Sequence, residues 1–185
     1  MSENRNEKEC CFIGHRSVEN AEETRKLLHR EILKLIKTKN VRTFLFGSRS
    51  DFNDLCHAVV TDLKIEYPDI KRVMYCCRSE YACMESDREK TSAFYSRVLN
   101  KRIEILGYEE DRKFPGYLTA GRASYVKRNK AMIDDSDYYI FYYSNEYTPK
   151  RGGRSGTRIA FEYAASVARK KSIEIINVYC PINSL

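Results

Sequence analysis

Residues 122–170 read RASYVKRNKAMIDDSDYYIFYYSNEYTPKRGGRSGTRIAFEYAASVARK. A basic helical pattern that carries Arg128 and Asn129 runs to Ile133. The apolar and aromatic run Tyr138–Tyr143 suits a buried strand. Gly152-Gly153-Arg154-Ser155-Gly156-Thr157 then leads into a second helical pattern, Ile159–Arg169. A strand, a glycine-rich loop and a helix start in succession make a place where backbone N–H groups converge on an anion.

Upstream, the same kind of unit recurs. Glu9–Ile13 (ECCFI) is a short apolar run fit for a strand. Gly14-His15-Arg16 turns the chain, Ser17 suits an N-cap, and Val18–Lys39 is helical with Leu28, Ile32, Leu35 and Ile36 on one face. Val41–Phe46 (VRTFLF) is a second strand, followed by the polar turn Gly47-Ser48-Arg49-Ser50-Asp51. Residues 53–65 form a helix with Leu55, Cys56, Val59, Val60 and Leu63 inward, and Pro68 ends that segment. Arg72–Cys77 is a third strand and Arg102–Leu106 a fourth, with a helix over Asp87–Leu99 between them. Residues 107–117 read as a loop, and Ser172–Tyr179 as a last strand. Strands that alternate with helices predict an α/β protein: a Rossmann-like parallel sheet with helices on both faces, in a single domain. Residues 1–8 read as a flexible tail and residues 9–185 as the domain.

The 185 residues suffice for a sizeable core. No apolar run reaches the roughly 20 residues that a membrane crossing needs, and the polar N-terminus lacks the apolar centre of a secretory signal. The expected location is the cytoplasm, with no membrane partner. Seven cysteines, an odd number without a CxxC pair, and three scattered histidines do not suggest a disulfide framework or a metal site. No cofactor is expected. The net charge of +7 favours anionic partners, and Lys150, Arg151, Arg154 and Arg158 gather by the glycine loop.

In an open parallel sheet, ligands bind beyond the carboxyl ends of the strands. Three glycine-bearing turns fall there: Gly14-His15-Arg16, Gly47-Ser48-Arg49, and the loop with Gly152, Gly153, Ser155, Gly156 and Thr157. Glycine admits a ligand close to the backbone, arginine grips phosphate in a fork, and each following helix start adds about half a positive charge. His15 is either a donor to phosphate or a helix-entry residue. Asp134, Asp135 and Asp137 suit a helix end better than a ribose or metal site. Tyr138, Tyr139, Tyr142 and Tyr143 alternate across their strand, so most of them pack in the core while some are able to face a base. Glu162 either accepts from a ribose hydroxyl or lies on the surface.

Several of these stretches occur together in one known group. Cys11-Phe12-Ile13-Gly14-His15-Arg16, Phe46-Gly47-Ser48 with Phe52-Asn53-Asp54-Leu55-Cys56, and Arg128-Asn129 with Met132-Ile133-Asp134 and Ser136-Asp137 resemble the short stand-alone members of the SLOG superfamily. Gly152-Gly153 and Gly156-Thr157 complete the resemblance, which spans about Cys11 to Ala168. It implies a Rossmann-like fold and a pocket for a nucleotide or nucleotide-derived signal such as an ADP-ribose derivative, in proteins tied to bacterial and phage conflict. The implied binding set is Gly14, His15, Arg16, Gly47, Ser48, Arg49, Arg128, Asn129, Gly152, Gly153, Ser155, Gly156 and Thr157. A homo-oligomer is also expected.

The superfamily includes phosphoribohydrolases, lysine-decarboxylase-like in name only, whose pattern is Arg and Lys, then Met, then Pro-Gly-Gly-x-Gly-Thr-x-x-Glu. Here Arg128 and Met132 match, Asn129 replaces the lysine, one extra residue parts the glycine pairs, and Ala160 falls on the glutamate position. Cleavage through an oxocarbenium-like transition state wants that carboxylate. Glu162, the nearest substitute, sits about 200° further round a helix. Arg128 and Glu162 are therefore the catalytic candidates of an alternative, enzymatic reading. A third reading, single-stranded nucleic-acid binding, follows from another branch of the superfamily.

Overall fold

The computed structural model describes residues 7–47, 50–75, 77, 108–112, 121–149 and 152–181. These residues form the strands β1 (Lys8–Gly14), β2 (Val41–Phe46), β3 (Lys71–Met74), β4 (Glu110–Asp111), β5 (Tyr138–Tyr142) and β6 (Ile175–Asn177). The helices are α1 (Ala21–Lys39), α2 (Asp51–Glu66), α3 (Arg122–Asp135) and α4 (Gly156–Lys171). The sheet order is β4-β3-β2-β1-β5-β6, and every pairing is parallel. This is the Rossmann-like α/β arrangement expected from the alternation of patterns.

The alternation of side chains along each strand builds two cores. Cys10 and Phe12 of β1, Phe44 and Phe46 of β2, and Ile140 and Tyr142 of β5 face α1 and α2. Cys11, Ile13, Leu45, Tyr139 and Phe141 face α3 and α4. Phe12 lies between Phe44 and Phe46, with ring centroids 5.8 and 5.1 Å away. Burial pushes the Cys10 thiol up, and the Cys11 thiol to about 12. Ala160, Ala164 and Ala168 form the buried stripe of α4, so this helix lies close against the sheet, while Phe161 stacks on Tyr143 at 4.4 Å.

Several boundaries differ from those read in the sequence. The strand that ends the expected tail begins at Lys8. The cap of α1 is Asn20, whose side chain accepts from the Glu23 amide at 3.3 Å, and not Ser17. The intervening residues are held out of the helix, because the Arg16 carbonyl accepts from Asp51 N–H at 2.8 Å and the Glu19 amide donates to the Tyr142 hydroxyl at 3.0 Å. Ser50 caps α2, which therefore starts at Asp51. Within the expected 107–117 loop, Glu110–Asp111 pairs with β3 as a short edge strand. Gly156 and Thr157, expected in a loop, form the first turn of α4. The last strand shrinks to Ile175–Asn177 because Ser172 turns left-handed (φ 56°) to close α4. The expected helix over 87–99 and strand over 102–106 lie outside the described residues.

The aspartates before β5 are structural. Asp137 accepts from the Glu9 amide and from Lys8 Nζ, both at 3.0 Å, and so joins the starts of β5 and β1. Asp135 accepts from the Tyr75 hydroxyl at 2.5 Å, and Asp134 from the Tyr163 hydroxyl at 2.7 Å.

Gly14 ends β1 where no side chain fits. A Cβ there would stand 2.3 Å from Phe52 Cδ1 and 2.9 Å from Tyr142 Cβ. Gly14→Ala is expected to lower stability in urea unfolding by roughly 1–3 kcal/mol, the usual range for forced overpacking. Adding Phe52→Leu should restore part of the loss.

Candidate functional site

Successive strands run outward from β1 in one direction through β2 and β3, and in the other through β5 and β6. The sheet therefore reverses its order between β1 and β5, and beyond the carboxyl ends at such a reversal is where open α/β sheets place their ligands. Three hydrogen bonds join the chain segments there. Thr157 Oγ1 donates to the Gly14 carbonyl at 2.9 Å. The His15 amide donates to the Tyr142 carbonyl at 3.1 Å. The Ser144 amide donates to His15 Nε2 at 3.0 Å.

That last bond sets the state of His15. An Nε2 that accepts carries no proton, so the neutral ring holds its proton on Nδ1. His15 is 3% exposed, and Nδ1 has no hydrogen-bond partner among the described residues. The Tyr147 ring stacks on the imidazole with centroids 4.0 Å apart. Burial holds the His15 pKa below the ordinary 6.5, although the charge of Glu19 pulls the other way.

Helix starts add positive potential. The Ser155 hydroxyl caps α4 by accepting from the Arg158 amide at 3.0 Å, which leaves the amides of Gly156 and Thr157 without intrahelical acceptors. No acid occupies the first turn of α4, nor that of α3. The two starts are tied together, because the Arg122 guanidinium donates to the Arg154 carbonyl at 3.0 Å. The start of α2 differs. It carries Asp51 and Asp54, and its Asn53 side chain accepts from the Gly47 amide at 3.1 Å. An anion is thus favoured at the α4 start over the α2 start.

The other expected site residues are placed as follows. Arg128 is buried at 5% exposure, with its guanidinium over the Tyr125 ring and one nitrogen donating to Asn129 Oδ1 at 3.3 Å. It lies against Gly47, where a Cβ would meet Arg128 Nε at 3.1 Å. Gly152 and Gly153 adopt left-handed backbone (φ 68° and 76°), and the Gly152 amide donates to the Pro149 carbonyl at 2.8 Å. Arg16 is exposed, and Ser48, Arg49, Lys150 and Arg151 lie outside the described residues. Glu162 is exposed, pairs with Arg154, and accepts from Arg158 Nε at 3.1 Å. The two flanking arginines thus already occupy its carboxylate.

Tyr139 and Tyr142 of β5 are buried in the core, Tyr138 is half-buried against it, and beyond the strand the Tyr143 hydroxyl donates to Asn145 Oδ1 at 2.8 Å. Sequence reasoning passed over Ser144 and Tyr147. Their signal was position alone, since both follow directly on the strand at the reversal of sheet order. An open hollow of about 530 Å³, lined in part by Lys37, Lys39, Arg42 and Tyr138, lies at the opposite edge, where the strands start.

His15 makes stability depend on pH. Below 6.5 the unfolded chain takes up a proton that the folded imidazole resists, so this contribution falls as pH drops; above 6.5 both forms are neutral and it is flat. His15→Gln retains an oxygen able to accept from Ser144. The difference in urea-unfolding stability between wild type and this variant should therefore be constant above 6.5 and shift towards the variant below it. No protein-family model matches this chain, and no curated protein matches it either.

Proposed function

We propose that this protein binds a nucleotide or a nucleotide-derived signal, such as an ADP-ribose derivative, beyond the carboxyl ends of β1 and β5. The observation that carries the reading is the His15 Nδ1 donor, buried without a partner among the described residues beside the start of α4. A buried unmade hydrogen bond costs on the order of 1–3 kcal/mol, which an acceptor on a ligand returns. The amides of Gly156 and Thr157, which have no intrahelical acceptor, and the acid-free first turn supply complementary charge for phosphate. Arg154 and Arg158 flank that one helix start, which suits a small anion better than a nucleic-acid strand. The SLOG resemblance adds a role: sensing or sequestering such a signal, as in phage defence.

A phosphoribohydrolase is the second reading. The buried Arg128 beside Gly47 favours it. Glu162 does not, since its carboxylate is exposed and already engaged by Arg154 and Arg158.

Calorimetry against mono-, di- and cyclic nucleotides and ADP-ribose is the test. Binding is expected for at least one of them, and silence across the panel refutes the proposal. Arg128→Lys keeps the charge but loses the planar fork, so it should weaken that binding by about tenfold, or ~1.4 kcal/mol. Release of free base from a nucleoside monophosphate would instead favour the hydrolase.

A further inference from the structure

We propose that the outward face of Tyr147 is the stacking platform for the base of the bound nucleotide. This rests on the nucleotide reading above and adds to it the part of the ligand that the helix start does not address. Among the described residues, Tyr147 is a large hydrophobic side chain left 43% exposed, at the end of the sheet where order reverses. Its exposure is not that of a loose side chain. One ring face lies on the His15 imidazole, 25° from parallel. His15 is itself fixed by the Ser144 amide, and Ser144 also organises the turn beneath: its hydroxyl accepts from the Glu146 amide at 3.2 Å, and its carbonyl from the Tyr147 amide at 3.4 Å. One ring face is thus covered, and a planar ring arriving on the other loses little ordering entropy, because the platform is held before binding.

The surroundings choose the occupant. Tyr147 stacks on His15, whose neighbour Gly14 accepts from Thr157 in the first turn of α4. A flat aromatic surface and an anion-favouring helix start are therefore two contacts apart. A molecule that carries a planar heterocycle and a phosphate on one short frame fits both ends; a lone aromatic or a lone phosphate uses only one. Stacking on a tyrosine tolerates any base, so the platform adds affinity without choosing between purine and pyrimidine.

The test separates this proposal from the one beneath it. AMP, GMP and ADP-ribose, which carry a base, are compared by calorimetry with ribose 5-phosphate, which lacks one. In wild type, at least one of the three is expected to bind more tightly than ribose 5-phosphate. Tyr147→Leu should weaken that binding by roughly tenfold and leave ribose 5-phosphate unchanged, whereas Tyr147→Phe keeps the wild-type affinity. The chain has no tryptophan, so Tyr147→Trp installs a single indole at the platform. Its emission should be quenched by the base-bearing ligand and not by ribose 5-phosphate. If the nucleotides bind but none of the three binds more tightly than ribose 5-phosphate, if Tyr147→Leu binds every nucleotide as wild type does, or if a bound nucleotide leaves the indole emission unchanged, the platform is overturned and the phosphate end stands. If wild type binds none of the three, the platform falls, and the nucleotide reading falls with it when the wider panel of di- and cyclic nucleotides is silent as well.

Discussion

The end of β1 leaves no space for a side chain, and much else follows from that. Phe52 from α2 and Tyr142 from β5 occupy the volume where a Cβ on residue 14 would lie. The first turn of α4 joins the same point through the Thr157 hydroxyl. Elements from both faces of the sheet therefore meet over one residue. The next residue, His15, is drawn in beneath the chain leaving β5 and takes its orientation from the Ser144 amide. A bulkier residue 14 would push these parts away from one another.

Charge is sorted along the strand direction on the α3–α4 face. Parallel strands require that the helices feeding them begin at the carboxyl edge and end at the amino edge. Asp134, Asp135 and Asp137 gather at the amino edge, where they bond Tyr163, Tyr75 and the start of β1. At the carboxyl edge the first turns of α3 and α4 hold no acid, and arginines 122, 154 and 158 stand around them. The aspartates thus work as fastenings at one end, and the other end keeps the positive potential of its helix starts.

The layout of the fold was legible because apolar runs and amphipathic helices state their period openly. β2 was read to the residue, and the inward faces of α1 and α2 fell where the leucines and valines predict. Helix starts were harder. Ser17 has the chemistry of a cap, but a tertiary bond from Asp51 to the Arg16 carbonyl and another from Glu19 to Tyr142 keep that stretch extended, so Asn20 takes the role. Sequence pattern carries no trace of such cross-chain bonds. The same holds at the site: glycines announced the turns, yet Tyr147 became notable only through its stacking on His15, a residue 132 positions away in the chain. The aspartates, conversely, suit a helix end already in the sequence, and their bonds to Tyr163, Tyr75 and the start of β1 agree with that.

Glu162 gives the arginines by the α4 start a partner within the chain. Its carboxylate spans Arg154 and Arg158, so these two guanidinium groups are already matched by a protein anion. Any guest phosphate must trade against that internal ion pair rather than fall onto bare charge. The exchange replaces one pairing by another, which blunts the dependence on ionic strength expected of naked arginines. Simple inorganic anions, which bring charge and nothing else, gain least from such a swap. On the proposed reading, a guest with a second point of attachment gains more from the exchange than a bare ion does.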